Sequence, residues 1–403
     1  MAEQLKDGVY WVGAVDWGLK SFHGHELSTH RGSSYNAYVI KDEKNVLVDT
    51  VWGPFAEEFM QDLRSVIDPA DLDYVVANHA EVDHSGALPH VLREAPNATL
   101  VASKRGENSI QGHYHQDWDI QTMETGDSID IGKNDLVFVE APMLHWPDSM
   151  FTYVAGQNIL MPNDAFGQHY ATAYRFNDQV NQKELYEEAL KYYVNIVNPY
   201  SRQVENKIQE VLEMDLAVDM ICPSHGVLWR DNPLQIVDKY REWAAQKPEE
   251  RALVIYDSMW GSTRKMAAAI SEGLTERGVP NKVRDAAQTD RNDLMVEVFR
   301  ARTIAIGSPT FNGGVLPSIS PVCTDLKGLK FKNKIGAAFC SYGWSGGAQR
   351  LIARHMEEAG FDLVEEPITC KWQPDAENLE ECRAYGRKLA EVTKEPAERP
   401  TAG

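Results

Sequence analysis

Cysteine is scarce in this chain and never paired. Five cysteines (Cys222, Cys323, Cys340, Cys370 and Cys382) are scattered over 403 residues, and no two stand in a Cys-x-x-Cys spacing. An odd, dispersed set argues against a disulfide framework and for a reducing compartment. Long apolar runs are missing too. No stretch approaches the ~20 residues a membrane-crossing helix needs, and the opening MAEQLKDGVYWVG lacks the basic start and apolar core of a signal peptide. The expectation is a cytoplasmic protein without a membrane partner. Basic residues are outnumbered, with 40 Lys and Arg against 60 Asp and Glu and a net charge of -20, which argues against nucleic acid as a ligand. No G-x-x-x-x-G-K-[ST] segment is present and no G-x-G-x-x-G follows a strand-like run. A nucleoside triphosphatase and a built-in dinucleotide site are thereby disfavoured.

What is present divides in two. A chain of 403 residues exceeds one typical core, so two domains are expected. The seam is placed near REWAAQKPEERA, giving residues 1–249 and 250–394. The last stretch, 395–403, is proline-rich, charged and without apolar periodicity, and reads as a disordered tail.

The first half carries a dense group of potential metal ligands. An apolar run, Tyr74 to Ala77, reads as a buried strand and ends in NHAEVDH, which presents His79, Glu81, Asp83 and His84 within six positions. Three later strand-like runs each end in one further candidate: His145 in LVFVEAPMLHWPDSM, Asp164 in NILMPNDAFG and His225 in DMICPSHGVLWR. This order resembles the metallo-β-lactamase fold, whose hydrolases carry H-x-H-x-D-H in the first loop. Glu81 stands where those enzymes have the second histidine. A harder, anionic oxygen donor there moves the preference from zinc towards iron. Three carboxylates against four neutral imidazoles nearly balance two ferrous ions with a bridging hydroxide, so such a site can be buried. Asp164 is the natural bridge, because it has two oxygens and no ligand neighbour of its own.

From about Arg251 the chain alternates strand-like and helix-like segments in five pairs, the pattern of a doubly wound flavodoxin-type domain. Ligands of such sheets bind beyond the carboxyl ends of the strands. After the first strand come Ser258, Met259, Trp260, Gly261, Ser262 and Thr263, running straight into a helix. Hydroxyls and backbone N–H groups at a helix N-terminus bind phosphate without lysine. After the third come Pro309, Thr310, Phe311 and Asn312. After the fourth come Ser341, Tyr342, Gly343, Trp344, Ser345 and Gly346. Small hydroxyl and glycine residues interleaved with aromatics suit a planar ring carrying a phosphate, and FMN is the predicted ligand. Ser258, Ser262 and Thr263 are assigned to the phosphate, and Trp260, Phe311, Tyr342 or Trp344 to the flavin ring. Trp344 alone reads equally well as an ordinary core or interface aromatic.

The combination of H-x-E-x-D-H, His145, Asp164 and His225 with a flavodoxin-like second half resembles the flavodiiron proteins (A-type flavoproteins) over nearly the whole chain. The similarity is greatest to the core shared by flavorubredoxins and rubredoxin:oxygen oxidoreductases, through RGSSYNAYVI, LHWPDSM, NDAFGQHY, DNPLQIV and GWSGGA. The resemblance implies an N-terminal metallo-β-lactamase-like αββα sandwich fused to a flavodoxin-like parallel sheet. It implies electrons passing from rubredoxin through FMN to a non-haem diiron site that reduces dioxygen to water or nitric oxide to nitrous oxide. By the same resemblance one iron takes His79, Glu81 and His145, the other takes Asp83, His84 and His225, and Asp164 bridges them. A head-to-tail homodimer is implied as well. The absence of Cys-x-x-Cys pairs leaves two cases open, a separate rubredoxin or a donor domain beyond the linker-like end. Two readings compete: a zinc metallohydrolase with an accessory flavodoxin domain, against which Glu81 and the flavin loops both count, and a pure electron carrier with an inactive partner domain, against which the seven filled ligand positions count.

Other residues fit this scheme less firmly. His23 or His25 in SFHGHELS can stand behind the ligands, or both can be ordinary loop histidines. Tyr193 in KYYVNIVNPY can aim a phenol at the substrate, although a buried helix-face aromatic is the stronger reading. His169 can orient a ligand. His113 and His115 read as surface residues, and His90 and His355 have no functional case.

Overall fold

The computed structural model describes residues 1–395, so all but the first residue of the predicted tail lies outside the described part. Two compact units are formed, one of Met1–Tyr193 with Tyr200–Ala244 and the other of Val194–Pro199 with Ala245 onward. The short segment Val194–Pro199 belongs to the second unit and is tied to it by polar side chains. Asn195 and Asn292 exchange bonds, Asn195 Nδ2 donating to the Asn292 carbonyl at 3.2 Å and Asn292 Nδ2 to Asn195 Oδ1 at 3.0 Å. Asn198 donates to the Leu329 carbonyl at 2.6 Å.

The first unit is built on two sheets. The larger has seven strands in the order Glu3–Lys6, Val9–Trp11, Tyr38–Ile40, Val46–Val48, Tyr74–Ala77, Thr99–Ser103 and Ile120–Met123. The other has five, in the order Ser128–Asp130, Asp135–Glu140, Met150–Val154, Ile159–Met161 and Met220–Ile221. Alternation along the strands explains how they pack. Val46, Val48 and Val76 from the first sheet and Phe138, Met150 and Met161 from the second share one buried cluster between the sheets. Leu47, Val75 and Ala77, on the opposite face, pack with Phe59, Leu63, Leu88 and Ile110 of the helices Ala56–Val66, Leu88–Glu94 and Lys104–Tyr114. On the outer face of the second sheet, Phe151, Leu160 and Ile221 meet Ile208, Val211 and Val237 of helices Ser201–Glu213 and Leu234–Ala244 around a cavity of about 240 Å³. Helices on sheets on helices is the predicted four-layer sandwich.

The second unit is a parallel sheet in the order Asn281–Asp285, Glu249–Tyr256, Ala301–Pro309, Ile335–Tyr342, Asp362–Leu363, with Ile368–Lys371 also pairing Ile335–Tyr342. Numbered along the chain this is 2-1-3-4-5, the flavodoxin arrangement, whose switch point lies between the first and third strands. Two helices that cover the sheet, Ser262–Glu276 and Ala376–Lys394, approach at glycines. A Cβ on Gly273 would stand 2.1 Å from the Arg383 carbonyl oxygen, and one on Gly386 would stand 2.1 Å from that of Ile270. No helix among the described residues is long and apolar enough to cross a membrane. All five cysteines are buried and unpaired.

Candidate metal centre and flavin cleft

The seven candidate ligands come together at one end of the sandwich, each delivered by a strand end. Tyr74–Ala77 feeds the NHAEVDH loop, whose last residues open the short helix Val82–Ser85. The Asp135–Glu140 to Met150–Val154 connection brings His145, the turn after Ile159–Met161 brings Asp164, and the turn after Met220–Ile221 brings His225. They form two groups. His79, Glu81, His145 and Asp164 place donor atoms within 4.8 Å of one another, and so do Asp83, His84 and His225.

Distances within each group are those of atoms aimed at a common ion. Ligands on bonds of about 2.1 Å stand roughly 3.0–3.4 Å apart around a six- or four-coordinate metal. In the first group His79 Nε2 and His145 Nε2 lie 3.3 and 3.4 Å from Glu81 Oε2, and 3.7 and 3.5 Å from Asp164 Oδ2. In the second, His84 Nε2 and His225 Nε2 each lie 3.1 Å from Asp83 Oδ2, and 3.0 and 3.5 Å from Asp164 Oδ1. Asp164 thus turns one oxygen to each group, as a bridging carboxylate does.

Several of these close pairs are not hydrogen-bonded. Both oxygens of Asp83, Nε2 of His84 and Oδ2 of Asp164 are buried and have no hydrogen-bond partner among the described residues. Buried polar atoms are normally satisfied. Neighbours at hydrogen-bond distance but out of alignment, converging on one point, answer to a cation instead, and the mixture of imidazoles and carboxylates is chemistry iron accepts. The donor set therefore fits two metal ions. The charges are mutually supporting. Burial works against the ionised form of Glu81, yet bonds from His145, His23 and His79 hold its carboxyl well below the usual range. Burial likewise opposes ionisation of Asp164, and His84, His145 and His79 overcome it.

A second layer fixes these side chains. Asp148 Oδ2 lies 3.1 Å from His79 Nδ1 and accepts the Ala80 N–H at 2.9 Å, so His79 is held by a carboxylate on its far nitrogen. His225 Nδ1 donates to the Ser34 carbonyl at 2.7 Å. Asp164 Oδ1 accepts from Tyr192 at 3.0 Å and from Ser224 at 3.1 Å. His23, half-exposed, reaches Glu81 Oε1 at 2.8 Å, whereas His25 is exposed and lies 3.4 Å from the Ser21 hydroxyl. His169 bonds Ser33 at 2.9 Å and packs 5.1 Å from the His225 ring. Burial, with His225 and His23 adding to it, holds the His169 imidazole well below its ordinary pKa. Tyr193 stays outside, its phenol paired with Ser201 at 3.0 Å. The tyrosine that enters is its neighbour, Tyr192. Sequence reasoning passed over Asp148, Tyr192, Ser34 and Ser224. Only the clustering of Asp148 and Ser149 behind His145 offered a signal.

In the second unit a cleft of about 620 Å³ opens at the carboxyl ends of the strands. Ser258, Met259, Trp260 and Ser262 line it from the first loop, Pro309, Thr310 and Asn312 from the second, and Ser341, Tyr342, Gly343, Trp344 and Ser345 from the third. Helix Ser262–Glu276 begins behind Gly261, at φ +82°, with no side chain capping its first N–H groups, so they remain free for an anion. Trp260 and Trp344 are 86% and 88% exposed, surfaces that a planar ring would cover. This cradle fits FMN. Four of the predicted residues stand back from it. Gly261 shapes the turn, Thr263 is fully buried with its hydroxyl 2.8 Å from Ser341 Oγ, Phe311 closes its own turn against Gly314, and Gly346 lies beside the Tyr342 ring. A fourth wall, Trp372 and Gln373, comes from the loop after Ile368–Lys371. A Cβ on Gly343 would meet the Trp372 ring at 2.8 Å.

Comparison with known proteins agrees with this architecture. Residues 34–226 match the family model "ODP family beta lactamase", and residues 254–386 match "Flavodoxin". The chain is 47% identical to a nitric oxide reductase of Moorella thermoacetica, over 96% of this chain and 97% of that one. It is 48% identical to the anaerobic nitric oxide reductase flavorubredoxin of Klebsiella pneumoniae, over 97% of this chain and 82% of that one. The structure of rubredoxin oxygen:oxidoreductase from Desulfovibrio gigas superposes with a TM-score of 0.95 at 37% identity, covering 98% of this chain and 99% of that one. The fold and paired sites define a lactamase-like oxidoreductase fused to a flavodoxin. The chain belongs to the flavodiiron protein family. Its cofactors are accordingly FMN and a non-haem diiron centre, and the hydrolase reading is set aside.

Proposed function

We propose that this protein reduces nitric oxide to nitrous oxide and dioxygen to water, drawing electrons from a rubredoxin-type donor. The observation that carries the reading is Asp164, one oxygen turned to each of two donor groups, in the same chain as a flavin cleft. One iron would be held by His79, Glu81 and His145, the other by Asp83, His84 and His225, with Asp164 between them. When bound, the iron pair supplies the site where a diatomic gas takes up electrons delivered by the flavin. The chain's own residues do the rest. Asp148 and the Ser34 carbonyl fix two imidazoles, and Tyr192 and Ser224 hold the bridge. His23 Nε2, at 2.8 Å from Glu81 Oε1 on the more open side of the site with His145, orients that ligand.

The higher identity to relatives named nitric oxide reductases favours nitric oxide as the main substrate, and the names flavorubredoxin and rubredoxin oxygen:oxidoreductase favour a rubredoxin-type donor. We assign the metal chemistry to residues 1–249 and the flavin to 250–394. Ser258, Ser262 and the helix N-terminus would hold the phosphate, with Trp260, Tyr342 and Trp344 beside the ring. A cytoplasmic location is supported by five unpaired cysteines. Purified protein should contain two irons and one FMN per chain, and steady-state rates with each gas and reduced rubredoxin test the assignment. Stoichiometric zinc, with ester hydrolysis and no consumption of either gas, would overturn it.

A further inference from the structure

Next to His145 stands Trp146, half-buried, and its indole meets two donor imidazoles edge-on. Ring centroids lie 5.1 Å from His79 and 6.2 Å from His145, at 74° and 76°. Against Trp146 the exposed His113 lies nearly parallel, at 6.4 Å and 21°. His113 is followed by Tyr114 at 6.2 Å, and Tyr114 by Trp118 at 5.5 Å. Tyr114 and Trp118 are themselves partly exposed, and the Tyr114 hydroxyl is 2.7 Å from Ser85 Oγ, two residues beyond Asp83. A line of close rings, three of them readily oxidised, therefore runs from the metal donors to solvent. Core packing alone would be served as well by phenylalanine or leucine at these half-buried positions.

We propose that Trp146, Tyr114 and Trp118 form a hole-transfer chain that protects the metal centre when dioxygen arrives with too few electrons. The inference rests on the dioxygen half of the proposed function. Complete reduction of dioxygen to two waters takes four electrons and four protons, and a ferrous pair holds two of those electrons. When the flavin supplies none, the deficit is met one electron at a time. The Trp146 indole gives an electron to the centre and is restored, across the His113 ring, by Tyr114, whose phenolic proton leaves to water and is taken back from water when Trp118 reduces the phenoxyl radical. Trp118 passes the hole to the surface. There a small thiol gives one electron and one proton, and two such thiols leave as a disulfide, closing the balance.

The test is freeze-quench electron paramagnetic resonance on holoprotein reduced with limiting donor and mixed with dioxygen. A tryptophan or tyrosine radical is expected, assigned by deuterated amino acids. W146F should lose it and survive several-fold fewer turnovers under dioxygen, W146Y should restore much of the protection, and Y114F/W118F should prolong the Trp146 radical. Protein that consumes dioxygen without either radical, or a W146F variant as durable as the wild type, overturns the chain alone. Protein that consumes no dioxygen overturns the dioxygen reading and the chain with it.

Discussion

Asp148 and Tyr192 touch the donor set from behind, and each should matter through the ligand it holds. Removing a carboxylate from the far nitrogen of a metal-binding histidine frees the ring to rotate and lowers its basicity. Losses of about 10–100-fold in metal affinity are usual. Asp148→Ala should weaken one iron by that order in competition with a chelator, with the second iron less affected. Tyr192→Phe should loosen the bridge more mildly, because Ser224 still donates to Asp164. Equal iron affinity in both variants and the wild type would show that these bonds are incidental. The seven candidate ligands were legible because ligand types at strand ends, in a fixed order, leave a local signature. Their supports were not: apart from Asp148, which follows His145 closely in the chain, they are brought in by the fold and leave no local signature. Tyr193 illustrates the point. The helix Gln182–Tyr192 widens into a π-helical turn over Tyr193–Val197. Each helical residue is rotated by about 100° from the last, so the inward phenol belongs to Tyr192 and its neighbour faces Ser201.

At the level of elements, the glycine contact between Ser262–Glu276 and Ala376–Lys394 leaves no room for a methyl group. Gly386→Ala should force the helices apart at a cost of about 1–3 kcal/mol, seen as a lower urea midpoint for the flavodoxin unit. An unchanged midpoint would mean that the crossing is looser than its 2.1 Å clearance implies. A second element-level effect is set by pH. Lys334, at the start of Ile335–Tyr342, is buried, with Nζ 2.5 Å from the Phe299 carbonyl and 2.7 Å from that of Ala301. Burial pushes its pKa down to about 7. An unfolded lysine titrates near ~10.4, so between those values the unfolded chain binds a proton that the native one does not, and stability rises with pH. Below about 7 the full penalty of a buried charge is present. Relative to Lys334→Met, the wild type should gain amide-exchange protection in Ala301–Pro309 from pH 7 to 9, by up to roughly 1.4 kcal/mol per pH unit. A constant difference across that range would contradict it. The strand and helix alternation of the second half was readable from the sequence, because buried parallel strands are continuous apolar runs, whereas the strand order is set by pairings between distant segments. The fourth wall of the cleft was not read, although Trp372 follows a strand end as Trp344 does.

For the whole molecule the open question is how electrons pass from flavin to iron. The cleft and the metal donors belong to different units of the chain, and electron transfer weakens steeply with distance. A head-to-tail dimer, in which the flavin of one chain faces the irons of the other, would let electrons cross between chains at two equivalent sites related by symmetry. Mixed dimers decide between the routes. Asp164→Ala removes the carboxylate shared by both donor groups and should yield a chain with flavin but no working iron pair. For the flavin-free partner, Ser262 is the better target than Thr263. Ser262 lines the cleft, whereas Thr263 is buried against Ser341, where a longer acidic side chain would disturb the core. In Ser262→Glu a carboxylate in the first helical turn suits the helix dipole and repels a phosphate at the same place. Each variant homodimer should be inactive with rubredoxin. The mixed dimer should regain about half the wild-type rate by symmetry, using flavin from the Asp164→Ala chain and irons from the Ser262→Glu chain. In neither chain are both cofactors present, so a route confined to one chain leaves the mixed dimer inactive. If mixed dimers form, keep their iron and flavin, and still fail, electrons travel within a chain and the head-to-tail assignment is wrong.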